Sequence, residues 1–470
     1  MKIKAFIFFS LFIFNLSKTL NQTQIDEIDR VIEQRMKSVK LNKFGIVIVN
    51  SSSIIHQKVF GEGITTKTHF TIASVTKSFT ALSILKLNVP LNQTIDKFHL
   101  EEYIDNDLAK QITISELLSH SSGLDGASSK QVGKKGEFLY SNYGYGLLGK
   151  IIAKESTEKN YGDYVKKHIF EELEMFDSGT DYVEDLIDSY DNFFGSLSKY
   201  TGLESDYKKN DGFDIPAGYI RSTIEDMGKY IRSFLNETNQ NYNYIKQMGI
   251  PKTKIDYNLN YGMGLFIRNK NGKAIYDHSG NFNHLLTHLY VYPDDDLAYF
   301  FFTNTYDALC SGPFYRFLAF LETLIVDDTK AYEQTFTSLD DLEFFLSHLA
   351  IDIIVLIIIA IPLTYLIITI IRKVKKKKPT WFDGMKGKII FGIDVVLLVI
   401  LPILLLFALV KALKSTKDFI FTLITATTEM MVTFIVKLIY FFIYRKYWKD
   451  FEFNDDKKDK NLELFDLKDE

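Results

Sequence analysis

The chain has 470 residues, long enough for one catalytic-sized domain plus an appendage rather than a single small module. Its 55 Lys and Arg nearly balance 59 Asp and Glu, and the net charge of -4 disfavours a nucleic-acid binder, which needs a basic surface to meet phosphate. One cysteine, Cys310, excludes an intramolecular disulfide framework and every multi-cysteine zinc or iron-sulfur site.

Met1-Lys2-Ile3-Lys4 precedes an apolar run from Ala5 to Phe14 broken only by Ser10, the charged start and short apolar core of a secretory signal, read here as residues 1-19. Asn15-Leu16-Ser17-Lys18 lacks a small-x-small cleavage pattern, so an uncleaved anchor is the alternative. Residues 20-345 then form the exported domain. The spacing of Ile28, Val31, Ile32 and Met36 predicts a helix over Ile25 to Val39, and Phe44 to Val49 and Ile54 to Phe60 read as paired strands around a polar turn. A helix follows Thr71 as far as about Lys86, Ile114 to Leu118 is a short helix before the turn His120-Ser121-Ser122-Gly123, and Tyr143 to Ala153 and Thr223 to Leu235 are helical. Strands return at Gly264 to Arg268, Ala274 to His278, Leu285 to Val291 and Ala298 to Thr303, before a helix from Gly312 to Ile325. Strands at both ends with helices between them predict a mixed α/β domain whose sheet draws on distant segments.

Past Ser347 the character changes. Residues 351-371, 389-410 and 419-441 are each long and apolar enough to cross a bilayer. The loop between the first two holds Arg372, Lys373, Lys375, Lys376, Lys377, Lys378, Lys386 and Lys388 against Asp383 alone, which places it in the cytoplasm. The expected product is a multi-pass membrane protein with its large domain extracytoplasmic, extracellular or lumenal, and its tail, residues 442-470, cytoplasmic. The sequons at Asn21, Asn50, Asn92 and Asn236 all fall on the exported side, as a glycoprotein requires.

Three short motifs carry chemistry. Ser74 and Lys77, at i and i+3, share one face of a helix, where a neutral lysine accepts a hydroxyl proton; S-x-x-K also arises by chance. Tyr140-Ser141-Asn142 offers a phenol for proton transfer and a carboxamide to orient a lysine and a substrate amide, or else a buried Tyr with a local Asn. His278-Ser279-Gly280, at a predicted strand end, offers a proton shuttle and a glycine that admits substrate to the backbone, or else a hairpin end with a solvent-facing His.

The order S-x-x-K, Y-x-N, H-x-G resembles the serine beta-lactamase and penicillin-binding-protein superfamily, in particular its class C beta-lactamase-like branch of related serine hydrolases. Ile114 to Leu124, Pro216 to Met227 and Tyr261-Gly262-Met263-Gly264 are similar to that branch as well. The resemblance covers roughly residues 25 to 330 and implies an α/β (α+β) fold, an antiparallel sheet flanked by helices plus a helical lobe, ahead of the three transmembrane helices. It implies Ser74 as nucleophile, Lys77 as its proton acceptor, Tyr140 as the phenol sharing acid and base duties, and Asn142 as orienter. His278 and Gly280 match the first and third positions of the third motif, and the oxyanion hole falls to the backbone N-H groups of Ser74 and Asn281. The implied activity is acyl transfer on an amide or ester of a small molecule or peptide, with no cofactor and no metal. The usual third motif carries Lys where His278 stands, so esterase or peptidase action is expected over strong beta-lactam hydrolysis. The alternative is a catalytically inactive, membrane-anchored binding or scaffolding protein with the same fold. His120 is expected to hydrogen-bond beside the site rather than act as a base.

Overall fold

A computed structural model describes residues 19-38, 40-193, 196-209, 212-306 and 311-326. The chain divides into two units, Met1–Phe345 and Leu346–Glu470, and every described residue belongs to the first. The N-terminal apolar run, Cys310 and the three C-terminal apolar runs lie outside the described residues, among which no helix is long and apolar enough to cross a membrane.

Helix Gln22–Ser38 leads into β1 (Phe44–Val49) and β2 (Ile54–Phe60), paired antiparallel. The turn between them is tied by Asn50, whose buried Oδ1 accepts from the Ser52 and Ser53 amides at 3.0 and 2.8 Å. That burial withdraws Asn50 from the expected glycosylation sites. Two-residue strands β3 (Phe70–Thr71) and β6 (Arg221–Ser222) pair beside the helical part, and β4 (Tyr190–Phe193) and β5 (Ser196–Lys199) form a small sheet with β13 (Thr305–Tyr306). β7 (Thr253–Asp256), β8 (Leu259–Tyr261), β9 (Phe266–Lys270), β10 (Lys273–Phe282), β11 (Leu285–Tyr292) and β12 (Leu297–Thr303) complete an eight-stranded antiparallel sheet in the order β2-β1-β12-β11-β10-β9-β8-β7.

The join between the two ends of the domain is β1 with β12, in register from Phe44 opposite Thr303 to Val49 opposite Ala298. Every residue of both strands is buried, and alternation sends their side chains into two separate cores. Phe44, Ile46, Ile48, Tyr299 and Phe301 pack with helix Gln22–Ser38 and helix Ser311–Val326, where Phe317, Leu321 and Ile325 are buried. Val47, Val49, Phe300 and Phe302 face the other way, and Phe302 stacks on Phe70 with ring centroids 4.1 Å apart.

The second core surrounds helix Thr76–Lys86, buried at every residue through Leu85. Such a helix has no polar face, so its polar side chains must find partners inside. Ser78 and Ser83 donate to the carbonyls of Val75 and Phe79, and Thr80 donates to Pro216 at 2.7 Å. Helix Asn142–Glu155 and the short helix Ile215–Gly218 flank it. They approach closely because Gly149 has no side chain: a Cβ there would lie 2.0 Å from the Pro216 Cγ.

Helix propensity alone predicts that Gly149→Ala stabilises the protein by about 1 kcal/mol. The contact with Pro216 predicts the opposite sign, a loss of about 1-3 kcal/mol in a denaturant titration of the full-length chain, and a gain in stability would contradict this packing.

Candidate active site

Ser74 lies not in a helix, as the i, i+3 spacing implied, but in a 3-10 turn, Ala73–Val75, that runs into helix Thr76–Lys86. Ala73 sits at φ +49°, a left-handed conformation that costs a residue with a side chain about 1-3 kcal/mol and persists only when its surroundings enforce it. Here they do. The Ile72 amide donates to Ile220 at 2.9 Å, and the Ile72 carbonyl accepts from the Val75 amide and from the buried Thr287 hydroxyl at 2.8 Å. β10 presses on the same turn at Gly280, where a Cβ would lie 2.6 Å from the Ile72 oxygen. The glycine expected to admit substrate therefore admits the chain's own backbone. Between Phe70 and Leu85, Ser74 is the one residue that is not buried.

Lys77 is buried completely, and its Nζ touches three oxygens: Asn142 Oδ1 at 2.7 Å, the Ala217 carbonyl at 2.6 Å and Ser74 Oγ at 3.2 Å. Burial pushes the ammonium pKa well below the usual lysine value, against a weaker pull upward from Asp214. A neutral amine has two N-H bonds and one lone pair. The two carbonyl oxygens can only accept, so in that neutral form they take the two hydrogens and the lone pair is left for the hydroxyl of Ser74.

Asn142 reaches Lys77 because Ser141 caps the helix behind it, accepting from the Gly144 amide at 3.0 Å and donating to the Asp125 carbonyl at 2.7 Å. The cap sets Asn142 at the first helical position and leaves Tyr140 just outside. Lys77 Nζ stands 4.8 Å from the Tyr140 ring centroid. Burial raises the Tyr140 phenol pKa, and a hydrogen bond with Ser74 opposes the rise. The structure thus brings Ser74, Lys77, Tyr140 and Asn142 together.

His278 departs from expectation. β10 continues to Phe282, so His278 is in mid-strand and buried rather than at a solvent-facing end. Its Nδ1 lies 2.7 Å from the Ser279 carbonyl, an acceptor only, and so carries the proton; Nε2, 3.0 Å from the Tyr261 hydroxyl, accepts. With both nitrogens engaged, the ring is not free to shuttle a proton. Burial, with a smaller contribution from Lys77, lowers its pKa to about 3. Gly280 shares its face of the strand, whereas Asn281 is exposed and opposes Leu286 on β11. Past Phe282, Asn283 and His284 both have positive φ and close a two-residue turn into β11, so His284 and His288 are not helical neighbours.

Two partners carried no role in the sequence. Tyr261, whose hydroxyl donates to His278 Nε2, and the Ala217 carbonyl both fall in strings that carry the resemblance, yet a backbone acceptor leaves no side-chain mark.

The beta-lactamase family model matches residues 28-312, and the chain belongs to that family. It is similar to beta-lactamase-like protein 4 of Dictyostelium discoideum, 25% identical over 316 residues that cover 53% of this chain and 55% of that protein. It is also similar to protein flp of Staphylococcus aureus strain MW2, 27% identical over 307 residues covering 57% and 60%. The chain therefore matches rather more than half the length of these curated relatives. Among solved structures, the octameric penicillin-binding protein homologue of Pyrococcus abyssi shares the fold with a TM-score of 0.53 at 24% identity, over 64% of this chain and 79% of that one.

His120 and His278 are both held neutral, their pKa values lowered chiefly by burial. Above pH 6.5 neither affects stability; below it the unfolded chain takes up protons that the native site refuses, down to about pH 3 for His278. Stability should therefore fall as pH drops from 6.5, by about 1.4 kcal/mol per pH unit for each histidine. Denaturant titrations between pH 7 and 5 should show a shallower fall for His278→Asn than for the unaltered chain, and equal slopes would contradict the assignment.

Proposed function

We propose that the chain is a serine hydrolase that opens ester or amide bonds through a covalent acyl-enzyme on Ser74. The observation that carries this reading is the trio of oxygens around Lys77 Nζ, which leaves its lone pair directed to the one hydroxyl of that turn exposed to substrate. Ser74 Oγ attacks the carbonyl carbon and its proton passes to Lys77. The oxygen of the tetrahedral intermediate is held by the backbone N-H groups of Ser74 and Asn281. Collapse breaks the bond to the leaving nitrogen or oxygen, which takes a proton through Tyr140, and water then attacks the acyl ester to release the acid and restore Ser74. With Oδ1 of Asn142 committed to Lys77, its N-H2 group is the part offered to a substrate carbonyl.

The substrate class follows from charge. A neutral His278 provides no cation at the place where a carboxylate next to the scissile bond would be recognised. Esters and amides without that carboxylate are favoured over penicillins. In this reading the N-terminal signal exports residues 20-345, the three apolar runs anchor the chain, and the tail from residue 442 is cytoplasmic. Asn21, Asn92 and Asn236 are then the sequons open to glycosylation, and the substrate reaches the site from outside the cytoplasm.

Mass spectrometry of the full-length chain after exposure to a fluorophosphonate, and separately to a penicillin, tests this. The expected result is a fluorophosphonate adduct on Ser74, absent in Ser74→Ala, with a much slower penicillin adduct. Lys77→Arg, which keeps a permanent charge at the nitrogen, should slow labelling by about 10²- to 10⁴-fold. A folded protein that forms no Ser74 adduct would instead be the binding-only form of the fold.

A further inference from the structure

His120 is buried in a turn just after helix Ile114–Leu118 and itself adopts φ +53°. Two hydrogen bonds run from it to the segment that holds Tyr140. The Leu139 amide donates to the His120 carbonyl at 2.8 Å, and the Ser141 amide donates to His120 Nδ1 at 3.1 Å. These amides flank Tyr140 on either side, and the His120 ring itself lies against the Tyr140 ring with centroids 4.2 Å apart.

Because Nδ1 accepts, the neutral imidazole carries its proton on Nε2. That N-H is buried and has no hydrogen-bond partner among the described residues. The rings of Tyr140, Tyr261, Tyr145 and Phe138 surround it, with centroids between 4.2 and 5.9 Å from that of His120. An apolar ring of similar shape would remove the orphaned donor, yet it would also strip the Ser141 amide of its acceptor. The position thus tolerates one unsatisfied donor to keep a particular acceptor, which points away from packing as the reason for a histidine there.

We infer that His120 is a positioning residue for Tyr140: its carbonyl and Nδ1 clamp the two peptide groups around that residue, and its ring backs the phenol onto Ser74. The inference rests on the hydrolase reading only for its effect on reactivity, since the clamp itself is a structural claim. His120 touches no reacting atom and transfers no proton. It acts through where it holds the phenol.

Two variants separate the clamp from general packing. His120→Phe keeps a ring but removes the acceptor, whereas His120→Asn keeps a side-chain oxygen near the place of Nδ1 and gives up the ring. Amide hydrogen exchange of the full-length chain, resolved at Ser141 by fragmentation, should quicken at least about tenfold in His120→Phe. Fluorophosphonate labelling of Ser74 should fall by about 10²-fold in that variant, with a thermal midpoint within about 4 °C of the unaltered chain. His120→Asn should bring both Ser141 exchange and labelling back to within about tenfold of the unaltered values. Ser141 protection and Ser74 labelling that are unchanged in a folded His120→Phe would overturn the inference, as would His120→Asn restoring neither. Should His120→Phe fail to fold, the unaltered chain decides: fast exchange at Ser141 in the native protein would also overturn it. If Ser74 is never labelled but Ser141 exchange responds as described, the clamp stands and the hydrolase reading falls.

Discussion

A buried lysine amine held by three oxygens, with no carboxylate hydrogen-bonded to it among the described residues, is the constraint around which this domain is arranged. Taking an ammonium out of water is costly, which lowers the pKa of this group, and in its neutral form the amine needs two acceptors and one donor. Each of the three partners comes from a different part of the chain. Asn142 is delivered by the Ser141 cap, the Ala217 carbonyl by a short helix that Gly149 allows close, and Ser74 by a strained turn. Only the Ser74 contact is local to the S-x-x-K spacing; the other two partners lie 65 and 140 residues away. The burial that lowers the amine's pKa comes from the elements packed on the helix that carries Lys77, chiefly helices Asn142–Glu155 and Ile215–Gly218.

Several departures from good packing chemistry fall in this region. Ala73 has a left-handed backbone, His120 has an orphaned N-H, and two imidazoles are kept neutral far below their ordinary titration range. Strain and unmet hydrogen-bond capacity lower stability, and they persist where the surrounding structure over-determines them. Here the Thr287 hydroxyl, the Ile220 carbonyl and the close approach of Gly280 hold Ile72 and Ala73 in place.

The sequence was most informative where periodicity and burial coincide. β1, β2 and helix Ile114–Leu118 fall at the residues expected of them from the sequence. The helix from Thr76 was legible from its composition, but the turn ahead of it was not, because the left-handed Ala73 is imposed by tertiary contacts rather than by its own preference. His278 was misplaced for a related reason. The strand was expected to end at His278, yet pairing with β11 carries β10 through Ser279 and Gly280 to Phe282. The side chains of the candidate site were visible as motifs, whereas the Ala217 carbonyl beside the amine has no signature in residue type.

The pH dependence of Ser74 labelling by an uncharged fluorophosphonate, measured on the full-length chain, tests the neutral amine most directly. The rate should rise with pH and level off through an inflection well below the ordinary lysine pKa of about 10.4, and Lys77→Arg should abolish that inflection. A rate that still climbs at pH 10, or an inflection that survives Lys77→Arg, would contradict the account.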